Sequence, residues 1–212
     1  EWIINRQIVD AGFSSKIILN DEAHFHLDGF VNRQNCWSSE NPRVISEKQM
    51  HSQRVTIWCG FWAGGIIGPY FFENEADQAV TVNDRYRDMI TQFFLPKLDD
   101  INVANMWFQD ATCYTIIHKT IQLLHETFPG HVLSRFDDQN WPPRSYDLTP
   151  LDFFLWGYLK SKVYVNNSTT ICALQEEIKH CINEIQPKIM KNFDERVRMC
   201  RGGYLPDVLF HK

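Results

Sequence analysis

The stretch Lys16–Leu27, KIILNDEAHFHL, constrains the fold more than any other part of this chain. Ala23, Phe25 and Leu27 alternate with His24 and His26. A two-residue period of this kind puts apolar side chains on one face of a strand and polar ones on the other. Lys16–Leu19 adds a short apolar run before it. Asp28-Gly29 suits the positive φ of a tight hairpin turn, and Phe30–Asn35 begins a return strand. Strand signals recur at Gln53–Phe61 and, after the turn Ala63-Gly64-Gly65, at Ile66–Phe72.

The pattern then changes period. Residues 1–15 read as a short helix ahead of the strands. Val82–Leu95 carries helical spacing through Tyr86, Met89, Ile90, Phe93 and Phe94, closed by Pro96. Val103–Gln109 is a short strand ending at Asp110, Thr115–Thr127 a helix stopped by Pro129-Gly130, and His131–Ser134 a fifth short strand. Residues 137–145 read as loop. Helices are expected over Asp152–Lys162, over Thr170–Ile185 with Ser168 or Thr169 as cap, and over 188–200. Strands first and helices interleaved later predict a mixed α/β sheet flanked by helices.

Composition fits that expectation. A chain of 212 residues, 44% hydrophobic and 22% charged, supports one sizeable core, and 14% aromatics argue against disorder. We expect a single domain over 1–212. No apolar run approaches the roughly 18 residues of a membrane span, and the first residues lack the basic-then-apolar order of a signal peptide. The six cysteines form no C-x-x-C pair, which favours free thiols in a reducing compartment over zinc. A net charge of −5 is unlike a simple nucleic-acid binder, yet an enzyme holding cations among carboxylates is acidic overall and still has room for a basic groove. Lys160, Lys162, Lys188, Lys191, Arg196, Arg198 and Arg201 read first as solvated helix faces.

Three acids stand at matching points of the predicted topology. Asp21 falls within the first strand, Asp110 ends a later one, and Asp152 begins a helix. A sheet sets strand residues from distant sequence side by side, and a helix packed on it aims its first turn at the same place. Three gathered carboxylates repel unless cations neutralise them, and Mg²⁺ is the natural hard cation. Two ions about 4 Å apart suit phosphoryl transfer. Spacing alone does not single out this triad, because Glu22, Asp99, Asp100, Asp137 and Asp138 are equally acidic. Asp152 also reads as a helix cap.

The blocks NDEAHFHLDG, WFQDATCYT and WPPRSYDLTPLDFFLWGYLKSKVY resemble the catalytic domain of Tc1/mariner-type transposases, the insect members in particular, over nearly the whole chain. The resemblance implies a ribonuclease-H-like fold of the DDE/D superfamily. It implies a metal-binding and catalytic triad at Asp21, Asp110 and Asp152, holding two Mg²⁺ or Mn²⁺ ions. The implied work is DNA cleavage and strand transfer in cut-and-paste transposition. The implied partners are transposon-end and target DNA and a second copy of the chain as a homodimer, in the nucleus, with no membrane and no small-molecule substrate. Residues 36–52 resemble a clamp-like loop of mariner relatives, 168–212 its C-terminal helices, and Asp147 a structural acid of the turn. The 41 residues 111–151 between the last two acids are similar to a long-spacer group. The family's amino-terminal helix-turn-helix region has no counterpart here, so end-specific strand transfer by this chain is expected to be weak.

Some residues depart from the family's pattern. A glycine is missing after Asp110, where Ala111 stands, Tyr114 replaces a histidine, and Tyr146 a proline. These changes keep a second reading open, a catalytically inactive or domesticated remnant that binds DNA or protein. A ribonuclease-H-like nuclease outside transposition is a third. His24 and His26 read as partly exposed strand residues, and Trp141 as a core plug or a DNA contact.

Overall fold

β1 runs unbroken through Ile17–His26, joining the two apolar runs through Asn20, Asp21 and Glu22. Antiparallel pairing with the neighbouring strand carries it past those polar residues. A computed structural model of the chain describes residues 6, 9–10, 12–29, 53–72, 82–99, 101–109, 118–134 and 151–200; of 14, 82–84, 118–119, 153 and 186–200 it gives the backbone course.

On one side β1 pairs antiparallel with β2 (Arg54–Trp62), which sets Asp21 opposite Cys59 and Ala23 opposite Ile57. β2 pairs antiparallel with β3 (Gly65–Phe72). On the other side β1 pairs parallel with β4 (Trp107–Gln109), and β4 pairs parallel with β5 (Val132–Leu133). The order is β3-β2-β1-β4-β5, a mixed sheet of the ribonuclease-H-like kind. Gly29, at φ 71°, takes the left-handed turn expected after β1. The Leu27 N–H donates to the Gln53 carbonyl at 2.8 Å. The return strand expected at 30–35 and the clamp-like loop at 36–52 lie outside the described residues.

β4 is shorter than its apolar run. Val103–Asn105 forms a tight helical turn instead, because the Asn102 side chain accepts from the Ala104 N–H at 3.3 Å. Asn competes with regular pairing in this way.

Helices cover both faces. α1 (Val82–Met89) continues through a wider turn at Ile90–Phe94 into Leu95–Lys97. With α2 (His118–Thr127) it packs Met89, Ile90, Phe94, Leu124 and Phe128 against Ile18, Trp58 and Phe108. α3 comprises a wide first turn, Leu151–Leu155, and Trp156–Val163. α4 is Ile171–Cys200. These two cover the opposite face, setting Leu155, Leu159, Ile178 and Ile182 on Phe25, Ile57 and Phe61. The first part of β1 is therefore buried on both faces, which explains why Ile17, Ile18 and Leu19 are consecutively apolar.

Two helix expectations are corrected. The separate helices over 170–185 and 188–200 are one helix, running through Pro187. The fixed φ of proline is itself helical, so the chain continues at the loss of one ladder bond. Its cap is Thr170, whose Oγ1 accepts from the Ala173 N–H at 3.2 Å, and not Ser168 or Thr169. Among the described residues no helix is long and apolar enough to cross a membrane, and Cys59, Cys172 and Cys181 are free thiols.

Candidate active site

Asp21 sits half-buried near the middle of β1, on the face that α3 covers. Its register partner is the buried Cys59, and Leu19 and Ala23 flank it on the same face. The site floor is therefore apolar. α3 comes down on it with a defined helical face, since Asp152, Trp156 and Lys160 are spaced four residues apart and follow one side of the helix.

The Trp156 indole Nε1 donates to Asp21 Oδ2 at 2.8 Å. The Asp152 carboxyl lies beside that of Asp21, close enough for each to act on the other's charge. Burial pushes the Asp21 carboxyl up to about 7; the nearby Asp152 charge adds to the rise, and the Trp156 hydrogen bond opposes it. Burial also raises Asp152, opposed by its hydrogen bond to Asp21. Two acids this close repel when both are ionised, and their titration belongs to the pair.

Asp152 does not stand at the cap position expected of it. The wide turn starts one residue earlier, at the fully buried Leu151, which places Asp152 inside the first turn. There it still benefits from the positive end of the helix dipole. Lys160 Nζ lies 5.6 Å from the centre of the Phe25 ring. Burial lowers its ammonium and Asp21 draws it back up. His24 is held below its usual value by burial first, then by the positive charges of Arg54, His26 and Lys160, while its Nδ1 hydrogen-bonds Thr56 Oγ1 at 2.9 Å.

A carboxylate pair that keeps a proton at the end of an apolar floor fits a hard dication, which replaces that proton and relieves the repulsion. Among the described residues no three His, Cys, Asp or Glu side chains are placed to hold a metal. Asp110 lies outside the described residues, as do Trp141 and Asp147.

Sequence reasoning passed over Trp156, and over Asn20. Asn20 is 1% exposed. Its Nδ2 donates to the carbonyl of Gln109, the last residue of β4, and its Oδ1 accepts from Trp58 Nε1 at 3.2 Å and Tyr86 Oη at 3.4 Å. It thus ties β1, one residue before Asp21, to β4, one residue before Asp110. Asn20→Ala is expected to cost roughly 2–4 kcal/mol, because buried polar groups lose their partner. The midpoint of urea unfolding measures it. A loss under about 1 kcal/mol would show that water or repacking replaces the amide. The signal for Trp156 was available in the four-residue spacing from Asp152. That for Asn20 was only a polar residue within an apolar run.

The sheet order, with helices on both faces and two acids meeting at β1, defines a ribonuclease-H-like domain with an acidic site. Its fold matches solved structures of the Mos1 transposase. The paired-end complex with left transposon end superposes with a TM-score of 0.70 at 11% identity, covering 95% of this chain and 57% of that one. The catalytic domain alone gives 0.61 at 15% identity, covering 95% and 87%, and that domain with Raltegravir and Mg gives 0.62 at 14%, covering 96% and 92%. In sequence the chain is 24% identical over 182 residues to the Tc3 transposase of Caenorhabditis elegans, covering 84% of this chain and 52% of that protein. No family model matches. By sequence and fold together, the chain resembles transposases of the Tc1/mariner type. It spans about half the length of the curated relative it matches.

Proposed function

We propose that this chain is the catalytic domain of a DDE/D-type transposase, carrying out metal-dependent DNA cleavage and strand transfer. The observation that carries the reading is the meeting of Asp21, from the middle of the sheet, with Asp152, from the first turn of α3. Asp110 is the third acid of this reading, and the ions are two Mg²⁺ or Mn²⁺. When bound, they supply Lewis-acid polarisation of a phosphodiester and activation of the attacking oxygen.

The chain's own groups set the conditions. Asp21 and Asp152 ionise to become ligands. Trp156 holds Asp21 against the helix, and the apolar floor keeps water from its back. Lys160 places a positive charge beside the pair, on the side of His24 and Arg54, where a DNA phosphate is welcome. The reading includes transposon-end and target DNA as partners, a homodimer, one domain over 1–212, and action in the nucleus.

The test is nicking of supercoiled DNA by the chain in Mn²⁺ or Mg²⁺, with Asp152→Asn beside it. The substitution is expected to lower cleavage by about 10²–10³-fold, the scale of losing one preorganised electrostatic partner at a reacting centre. Ala111 and Tyr114 favour the second reading, a remnant that binds DNA or protein without cutting. That reading wins if the wild type neither cleaves nor binds a divalent cation.

A further inference from the structure

The Asp21 carboxylate is touched from three directions: by Trp156 Nε1 at 2.8 Å, by the Asp152 carboxyl, and by the backbone of Glu22. Nothing in the metal reading requires the first of these. An aspartate turns softly about its terminal torsion, where the wells are broad. A carboxylate on a strand therefore needs an external donor to keep one face toward an ion.

Trp156 has the properties of such a donor. Its side chain is 6% exposed and belongs to the core between α3 and the sheet. Packing has already fixed its rotamer, so holding Asp21 costs little further ordering. An indole only donates, and it does not titrate. It makes the same bond whether Asp21 carries a proton or faces a cation. It also sits one turn beyond Asp152 on the same helix face, so α3 sets the position of one acid and the orientation of the other.

We infer that Trp156 is a positioning residue: its indole N–H fixes the Asp21 carboxylate so that the oxygen it leaves unengaged presents to a divalent cation held with Asp152. The inference rests on the metal-dependent reading above. Groups that orient a metal ligand typically change metal affinity 10–100-fold when removed.

Trp156→Phe keeps most of the ring and removes the donor. Titration calorimetry of the full chain with Mn²⁺, and separately with Mg²⁺, is expected to show at least about a 10-fold weaker dissociation constant. Leu159→Ala is the packing control. Leu159 is fully buried on α3 and its side chain has no hydrogen-bond donor to offer Asp21, so it is expected to lower the melting temperature and leave the metal constant within about twofold, well inside the change assigned to the donor. Should Trp156→Phe fail to fold, 3-benzothienylalanine at position 156 decides, since sulfur replaces the N–H in a ring of nearly the same shape. A folded variant at 156 with the wild-type metal constant overturns the inference and leaves the metal reading intact. A wild type with no binding isotherm overturns both.

Discussion

Without divalent cations, Asp21→Asn is expected to melt at a higher temperature than the wild type at pH 8, while losing its response to Mg²⁺ or Mn²⁺. The folded chain must hold Asp21 on an apolar floor, beside Asp152, at a pH where both acids are pressed to ionise. An amide meets the same neighbours without that charge. Its oxygen accepts from Trp156 Nε1, and its NH₂ donates to Asp152, as the protonated Asp21 does. Removing a poorly compensated charge from a half-buried place is worth about 1–2 kcal/mol, and for a chain of this length each kcal/mol moves the melting point by about 2–4 °C. The cost falls on function, as it does where a site stores unfavourable charge for its task. Thermal melts in EDTA and in millimolar metal read both halves. An Asp21→Asn protein less stable than the wild type in EDTA would mean that the pair is favourable as it stands, and the strain attributed to the site is absent.

The wild-type chain is expected to lose stability between about pH 4 and pH 7 when metal is withheld, and to recover it when metal is added above pH 7. An unfolded aspartate releases its proton near the ordinary value of 3.8, and Asp21 in the folded chain near 7. Between those values the folded state binds more protons than the unfolded one, so raising the pH favours unfolding. The contribution is complete below 3.8 and gone above 7. Its size is at most about 4 kcal/mol, a displacement from 3.8 to about 7 at about 1.4 kcal/mol per pH unit. A cation that binds only the folded pair reverses the loss, by about 2.7 kcal/mol at 100 times its dissociation constant. At pH 5 protons compete for the same oxygens, so the metal-induced shift should be clearly smaller than at pH 8. Equal shifts at both pH values would place the ion elsewhere on the chain.

Much of this could be read from the residues in order. The alternation of Ala23 and Phe25 with His24 and His26 specified a half-buried strand, and β1 has it, because a two-residue period is a local property of the backbone. The resemblance carried by NDEAHFHLDG and by the block around Asp152 pointed to the ribonuclease-H-like sheet. Where the reading erred, a distant contact or a neighbouring side chain had prevailed. β4 contracted to three residues because Asn102 folded back on its own turn. α3 began at the buried Leu151, and α4 ran through Pro187, whose fixed φ is itself helical.

The site divides along the same line. Which residues are acids, and that they fall on a strand and at a helix start, is written in the chain itself. That Asp21 and Asp152 lie side by side, that Trp156 is the residue holding Asp21, and that Asn20 ties β1 to the end of β4 came only with the tertiary structure. Hydrogen bonding and charge coupling depend on distances of a few ångström, and distances between residues far apart in sequence are fixed by packing and not by the order of residues along the chain.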